Sequence, residues 1–461
     1  MKISSTKNGS TAAGNYRRRL RLLILAAALL HVSVTASVFM IGRLGLMPGQ
    51  FSKDGVGNFA SDGFAYRAEV IELCSQLKNE GVIAWANWPT QFHVRLYSLP
   101  VAVLGGGNNL NTLIIEPLNL IYYLAILVLV FKLGELVFDY RTGLMAAATV
   151  ALWPSFLLHT TQLLRDPLLI TAVLILMLSL TLCLKSDLAW RRAILVGAAG
   201  AAAIVLIRIV RLPMWNLLWP VVILAMLFLI IRIAGQRRCP AGTLVCAIIL
   251  IAAMLITPRF QSAFHNQQIV NRPRRIVPEE VQRLPVEEQI EARRHAFNLQ
   301  NDPSGNAVPS AAGSDIDQGV EFKSTTDIIR HVPRAMVVGF FAPFPNMWFG
   351  GGKQVGASGR LLSGFETLLS YMIECLALFG LWRERKNLAA WFIFLIVTLG
   401  ALGLGLVVAN VGALYRLRYP FWALLIVCGA SGATHLVRRR TMAASAGNDL
   451  AFEESPGTFQ S

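Results

Sequence analysis

Ten apolar stretches, each about 17–25 residues long, divide this chain, and that is the length an α-helix needs to cross a hydrocarbon core of about 30 Å. They fall near 20–42, 112–133, 142–160, 167–184, 189–207, 213–234, 240–257, 361–382, 388–409 and 417–436. Backbone groups in lipid must be satisfied within the segment, so the expected fold class is all-α, a polytopic membrane protein of about ten transmembrane helices. Composition agrees: 55% of residues are hydrophobic, 15% are charged and the mean hydropathy is +0.54, whereas a soluble domain carries about 25% charged residues. The first run is long and has no convincing small-residue cleavage site, so it reads as an anchor and not as a cleaved signal.

Lys and Arg set the orientation. The N-terminus carries Lys2, Lys7, Arg17, Arg18, Arg19 and Arg21 with no acid among them, which places it in the cytoplasm. Alternate counting then puts Lys185, Arg191, Arg192, Arg237, Arg238, Arg383, Arg385, Lys386 and the run Arg438 to Arg440 on the same side. Residues 1–19 are expected to form a cytoplasmic segment, 20–436 the membrane domain and 437–461 a cytoplasmic tail. Most of the net charge of +16 belongs to this inside bias, so nucleic acid is not an expected partner.

The same count makes 43–111 and 258–360 extracytoplasmic. In the first, Tyr66, Val70, Leu73, Cys74 and Leu77 share one helical face opposite Arg67, Glu72 and Gln76, as in a helix lying on a membrane surface. The second holds a charged helical piece, "PEEVQRLPVEEQIEARRHAFN", then "NDPSGNAVPSAAGSDIDQG", whose composition predicts a mobile loop. The Phe- and Pro-rich "VGFFAPFPNMWFGGG" reads as an interfacial or re-entrant piece. Of six cysteines only Cys74 lies outside, so no disulfide framework is implied, and no internal repeat or Walker-type, HExxH or CxxC pattern occurs in a suitable context.

Three short outer turns break the inside bias. "LLRDPLL" carries Arg165 and Asp166, "LIRIVRLPMW" carries Arg208 and Arg211, and "LYRLRYP" carries Arg416 and Arg418. All five cations are Arg, which suits a bidentate grip on phosphate. The plain alternative is that each arginine snorkels at a helix end or pairs locally, Arg165 with Asp166. A phosphate site on the outer face of a many-helix protein points to a lipid-linked phosphate substrate. If a sugar leaves from a polyprenyl phosphate, the leaving group is already a stable anion, and one carboxylate to deprotonate the incoming hydroxyl suffices. Asp62 in "SDGFAY" is the best outer candidate, with helix N-capping beside Gly63 as its other reading.

"ASDGFAYRAEVIEL" resembles the opening motif of the GT-C superfamily of integral-membrane glycosyltransferases, and the chain is similar to bacterial relatives of dolichyl-phosphate-mannose protein mannosyltransferases and of lipid A aminoarabinose transferase. "LLRDPLL", "HVPRAMVVGFFAPFP" and "ALYRLRYPFWALLIV" carry the rest of the resemblance. It implies a GT-C-like fold with interfacial helices in the two outer loops, placed in the cytoplasmic (inner) membrane. It further implies inverting transfer from a polyprenyl-phosphate sugar to an extracytoplasmic glycan, lipid or protein. Asp62 then matches the catalytic base and Asp166 the second acid, while Arg416 and Arg418 match positions near the lipid phosphate. Topology adds Arg165, Arg208 and Arg211, and Tyr66 and Tyr415 join them as substrate-binding candidates. Related enzymes differ on metal, so a divalent cation stays open, although no ligand cluster is visible and His159 alone does not make one. Two rival readings are a polymerase or ligase using a polyprenyl diphosphate, and a lipid or sugar transporter built around the embedded acids Glu116, Glu366 and Glu374.

Overall fold

A computed structural model describes residues 5–106, 109–237, 240–265, 281, 284–301, 307–309, 315–317, 319–349 and 355–453. Among them the chain is almost wholly helical. In order the helices are α1 (Ser5–Arg43), α2 (Asp62–Asn79), α3 (Gly81–Asn87), α4 (Phe92–Leu104), α5 (Thr112–Val137), α6 (Tyr140–Ala151), α7 (Pro154–Thr160), α8 (Asp166–Lys185) and α9 (Trp190–Val210). Then come α10 (Trp215–Gln236), α11 (Ala241–His265), α12 (Val286–Asn298), α13 (Thr325–Phe341), α14 (Gly356–Arg383), α15 (Leu388–Val407), α16 (Val411–Leu417) and α17 (Tyr419–Glu453). One antiparallel pair of three-residue strands, β1 (Leu299–Asn301) and β2 (Ala307–Pro309), forms at the start of the stretch expected to be mobile. Residues 302–306, 310–314 and 318 of that stretch are outside the described residues.

Nine helices among the described residues are long and apolar enough to cross a membrane, and each coincides with one of the ten apolar runs. This is an integral, multi-pass membrane protein. The tenth run, 142–160, is not one straight helix: α6 and α7 meet at 68°. The cause is Pro154, whose ring excludes the residue before it from helical backbone, so Trp153 is extended (φ −77°, ψ 114°) and Pro154 opens a new helix.

α8 is the centre of the bundle. The apolar window of α8 is 83% buried against 22% for α1, and α8 lies between α5 and α9. α17 packs on α14, α15 and α6, and α13 crosses α15. Glycines allow the tightest crossings: a Cβ at Gly339 would strike the Ala401 carbonyl, one at Gly405 the Ala335 carbonyl and one at Gly432 the Leu376 carbonyl. Close backbone approach through small residues is how apolar helices associate where no hydrophobic drive separates them from lipid. α2 buries Tyr66, Val70, Leu73 and Cys74 and exposes Glu72, the division expected from its periodicity.

Candidate active site

Two loops approach each other at one end of the bundle and are locked by buried amides. Gln162, in the turn between α7 and α8, accepts from the Gly57 backbone N–H (2.8 Å) through Oε1. Its carbonyl accepts from Asn119 Nδ2 of α5 (3.3 Å). The Tyr97 hydroxyl lies 2.7 Å from Asn119 Oδ1 and 3.0 Å from the Leu164 carbonyl, so it can donate to either. Gln162 and Asn119 are fully buried and Tyr97 nearly so, where an unmade hydrogen bond costs about 1–3 kcal/mol. These bonds fix the segment before α2 against the segment before α8, which places the first residue of α2, Asp62, near the first residue of α8, Asp166.

Arg416 of α16 comes between the two acids. Its Nη2 donates to Asp62 Oδ2 at 3.1 Å, and its Nη1 lies 3.9 Å from Asp166 Oδ2. Asp166 Oδ1 lies 3.5 Å from Arg211 Nη1. Asp166 therefore pairs with arginines from two other turns and not with its neighbour Arg165. Arg165 makes no hydrogen bond or ion pair with the described residues, yet its charge acts on Asp62 and Arg211. Three guanidinium groups thus face two carboxylates, which leaves one uncompensated positive charge beside the N-terminus of the 20-residue helix α8.

Asp62 does not serve as an N-cap. Ser61 holds that position, without a side-chain cap bond, and Asp62 begins the helix proper. Its side chain is 42% exposed, and only Oδ2 is engaged, by Arg416. Burial pushes the carboxyl up, but the charges of Arg416, Arg165 and Arg211 outweigh it and hold Asp62 below the ordinary aspartate value. Asp62 is ionised at neutral pH, with Oδ1 open.

The other predicted residues lie around this cluster. Tyr66, one turn along α2 from Asp62, is buried edge-on against His93, ring centroids 4.4 Å apart. Arg208 lies over the Trp215 ring at 4.4 Å. Arg418 turns to the other side of its helix, where Nη1 donates to the Phe340 and Ala342 carbonyls, both at 2.9 Å. The Tyr415 hydroxyl donates to Glu366. The structure therefore brings Asp62, Asp166, Arg211 and Arg416 into direct contact with Arg165 beside them, and ties Arg418 and Tyr415 to protein groups elsewhere.

His93 is a neighbour that sequence reasoning missed, because a single histidine in "QFHVRLY" has no pattern to mark it. It is buried, and neither ring nitrogen has a hydrogen-bond partner among the described residues. Burial first, and then Arg165, lower it to about 3, so it is neutral. No group of three His, Cys, Asp or Glu side chains close enough for a metal ion occurs among the described residues. The two acids face guanidinium groups, so this donor set does not fit a divalent cation.

No protein-family model matches the chain. No curated protein matches it either. Among solved structures it is similar to the archaeal oligosaccharyltransferase AglB from Archaeoglobus fulgidus, in complex with an inhibitory peptide and a dolichol-phosphate, at 12% identity and a TM-score of 0.48 over 92% of this chain. It is similar as well to the Archaeoglobus fulgidus oligosaccharyltransferase in the apo form, at 11% identity and a TM-score of 0.48 over 93% of this chain. The chain covers 52% of each of those structures, about half their length.

Proposed function

We propose that this protein is an integral-membrane glycosyltransferase that moves a sugar from a polyprenyl-phosphate donor to an acceptor hydroxyl, with inversion, on the extracytoplasmic face of the cytoplasmic membrane. The observation that carries the reading is the convergence of an ionised, partly exposed Asp62 with Arg165, Arg211 and Arg416 at one end of the bundle. The GT-C resemblance of "ASDGFAYRAEVIEL" and "ALYRLRYPFWALLIV" points the same way.

In this mechanism the acceptor oxygen attacks the anomeric carbon from the face opposite the phosphate. The new C–O bond forms as the bond from the anomeric carbon to the phosphate oxygen breaks, and the hydroxyl proton passes to Asp62 Oδ1. The sugar leaves polyprenyl phosphate behind, whose growing negative charge is met by Arg165, Arg211 and Arg416. No general acid is needed for such a leaving group. Asp62, held at low basicity by the arginines, removes the proton only once the attacking hydroxyl has been acidified by bond formation. Asp166 touches no reacting atom in this scheme and holds Arg211 and Arg416 in place.

The test uses the purified full chain in detergent with polyprenyl-monophosphate and polyprenyl-diphosphate sugars. Binding of the monophosphate lipid and release of polyprenyl phosphate on transfer support the reading. Preference for the diphosphate assigns the protein to the polymerase or ligase class. Failure to bind either lipid removes the phosphate assignment altogether.

A further inference from the structure

α16, the helix that presents Arg416, is seven residues long. Helices shorter than about 12–15 residues do not hold themselves in water, so the direction of Arg416 must be set by what grips α16 at its ends. At its start, Asn410 accepts from the Ala413 N–H (3.1 Å) and donates to Asp315 Oδ1 (3.1 Å), while the Ile316 N–H donates to the Ala409 carbonyl (2.8 Å). Near its end, the residue beside Arg416, Tyr415, donates its hydroxyl to Glu366 Oε2.

Glu366 is fully buried, on a helix long and apolar enough to cross the membrane. An acid within a membrane helix is costly, about 2.5–3.5 kcal/mol for an ionised one at the helix centre on insertion scales, so one kept inside a span needs a reason. Its partners supply one. Besides Tyr415, the carboxylate accepts from the Ser155 N–H (2.7 Å) and the Ser155 hydroxyl (2.5 Å) in the first turn of α7. The Tyr419 hydroxyl in turn donates to Ser155 Oγ (3.1 Å) and lies 3.1 Å from His159 Nδ1. One carboxylate therefore joins α7, α14 and α16, three elements with no backbone hydrogen bonds between them. The break at Pro154 makes this join feasible, since it frees the Ser155 N–H at the start of α7. The transfer scheme leaves Glu366 with no chemical step, and both of its oxygens already accept hydrogen bonds from α7 and α16.

We propose that Glu366 is a positioning residue, which through Tyr415 fixes the orientation of α16 and so the place of Arg416 between Asp62 and Asp166. The consequence for a lipid phosphate rests on the function proposed above. The effect on Arg416 itself does not.

Tyr415→Phe is the direct test, because it deletes one hydroxyl and leaves the ring. It is compared with Glu366→Ala and with the conservative Glu366→Gln, whose carbonyl still accepts from the Ser155 N–H while the two hydroxyls rotate to accept from its amide. The first readout needs no substrate: the rate at which an arginine-selective dicarbonyl labels Arg416, read by peptide mass spectrometry with exposed Arg192 as internal reference. The second is the affinity of polyprenyl monophosphate for the same proteins. Tyr415→Phe and Glu366→Ala should label Arg416 several-fold faster than wild type and bind the lipid about ten-fold more weakly, the effect of about one charge-assisted hydrogen bond. Glu366→Gln should restore both readouts toward wild type. Unchanged Arg416 labelling in folded Tyr415→Phe overturns the proposal, as does a Glu366→Gln protein indistinguishable from Glu366→Ala. Faster labelling together with no lipid binding by the wild type leaves the positioning role standing and removes the functional reading instead.

Discussion

Asp62 and Arg416, 354 residues apart in sequence, form an ion pair at 3.1 Å that ties the amphipathic helix α2 to the short helix α16. The pair occupies only one oxygen of Asp62 and only one face of Arg416, whose other amino group lies toward Asp166. Under the proposed function, the base and a phosphate-binding cation would thus be held by each other until a substrate arrives to use both.

Asp62→Asn follows from this arrangement. The amide keeps the shape and can still accept one hydrogen bond from Arg416, but it cannot take a proton at neutral pH. Turnover with a polyprenyl-phosphate sugar should fall by at least about a hundred-fold, the low end of general-base contributions. Donor affinity should hold or improve, because Arg416 loses its competing carboxylate. A variant retaining more than about a tenth of wild-type turnover would show that Asp62 is not the base.

The pH dependence of stability has a definite sign. Asp62 in the folded protein lies below its ordinary value, because Arg416, Arg165 and Arg211 outweigh the opposing effect of burial. A depressed acid contributes stability that is fully present above its unfolded value, about 3.9, and is lost as pH falls through the folded value. The difference in melting midpoint between wild type and Asp62→Asn should stay constant from about pH 8 to pH 5 and shrink only below about pH 3.9. A difference that shrinks already near pH 6 would mean that the arginines do not hold Asp62 down.

Much of the fold could be read from the residues, because lipid imposes a single length scale on every span. Nine of the ten apolar runs became helices with ends moved by a few residues. The run at 142–160 is broken at Pro154, where α6 and α7 meet at 68°, a bend that hydropathy does not register. The five outer arginines were grouped from topology alone, and the reading could not tell which of them meet. Arg211 and Arg416 reach the acids, whereas Arg418 turns to the carbonyls that end α13. Two residues apart at the end of a short helix, Arg416 and Arg418 differ by the direction of a side chain, which no spacing rule supplies. Glu366 was visible as an embedded acid, but its partners come from α7 and α16, and only tertiary structure joins them.

The glycine crossings give a prediction about assembly. Gly405 meets the Ala335 carbonyl and Gly339 the Ala401 carbonyl where α13 and α15 cross, so any Cβ at either position forces the helices apart. Gly405→Val should lower the melting midpoint of the detergent-purified protein, with a cost in the overpacking range of about 1–3 kcal/mol or more. Gly235, where a Cβ would meet nothing, is the control, and Gly235→Ala should leave the midpoint unchanged. Equal midpoints for wild type and Gly405→Val would contradict the close crossing.

The arginines separate by what they touch. Arg165 has no partner among the described residues and Arg416 shares its charge with two acids, so both can turn to an incoming phosphate. Arg165→Lys and Arg416→Lys keep the charge but replace a planar fork by a point donor. Each should weaken binding of a polyprenyl-monophosphate analogue by about ten-fold, with melting midpoints near wild type. Arg418 is 8% exposed and serves two backbone carbonyls at the end of α13. A lysine there cannot reproduce both bonds, and an unpaired buried carbonyl costs about 1–3 kcal/mol. Arg418→Lys should therefore lower the melting midpoint while the surviving folded protein binds the lipid within about three-fold of wild type. The measurement is affinity and melting side by side for the three variants. If Arg418→Lys lost donor binding without losing stability, and Arg165→Lys lost neither, the phosphate would lie against α13 and not between Asp62 and Asp166.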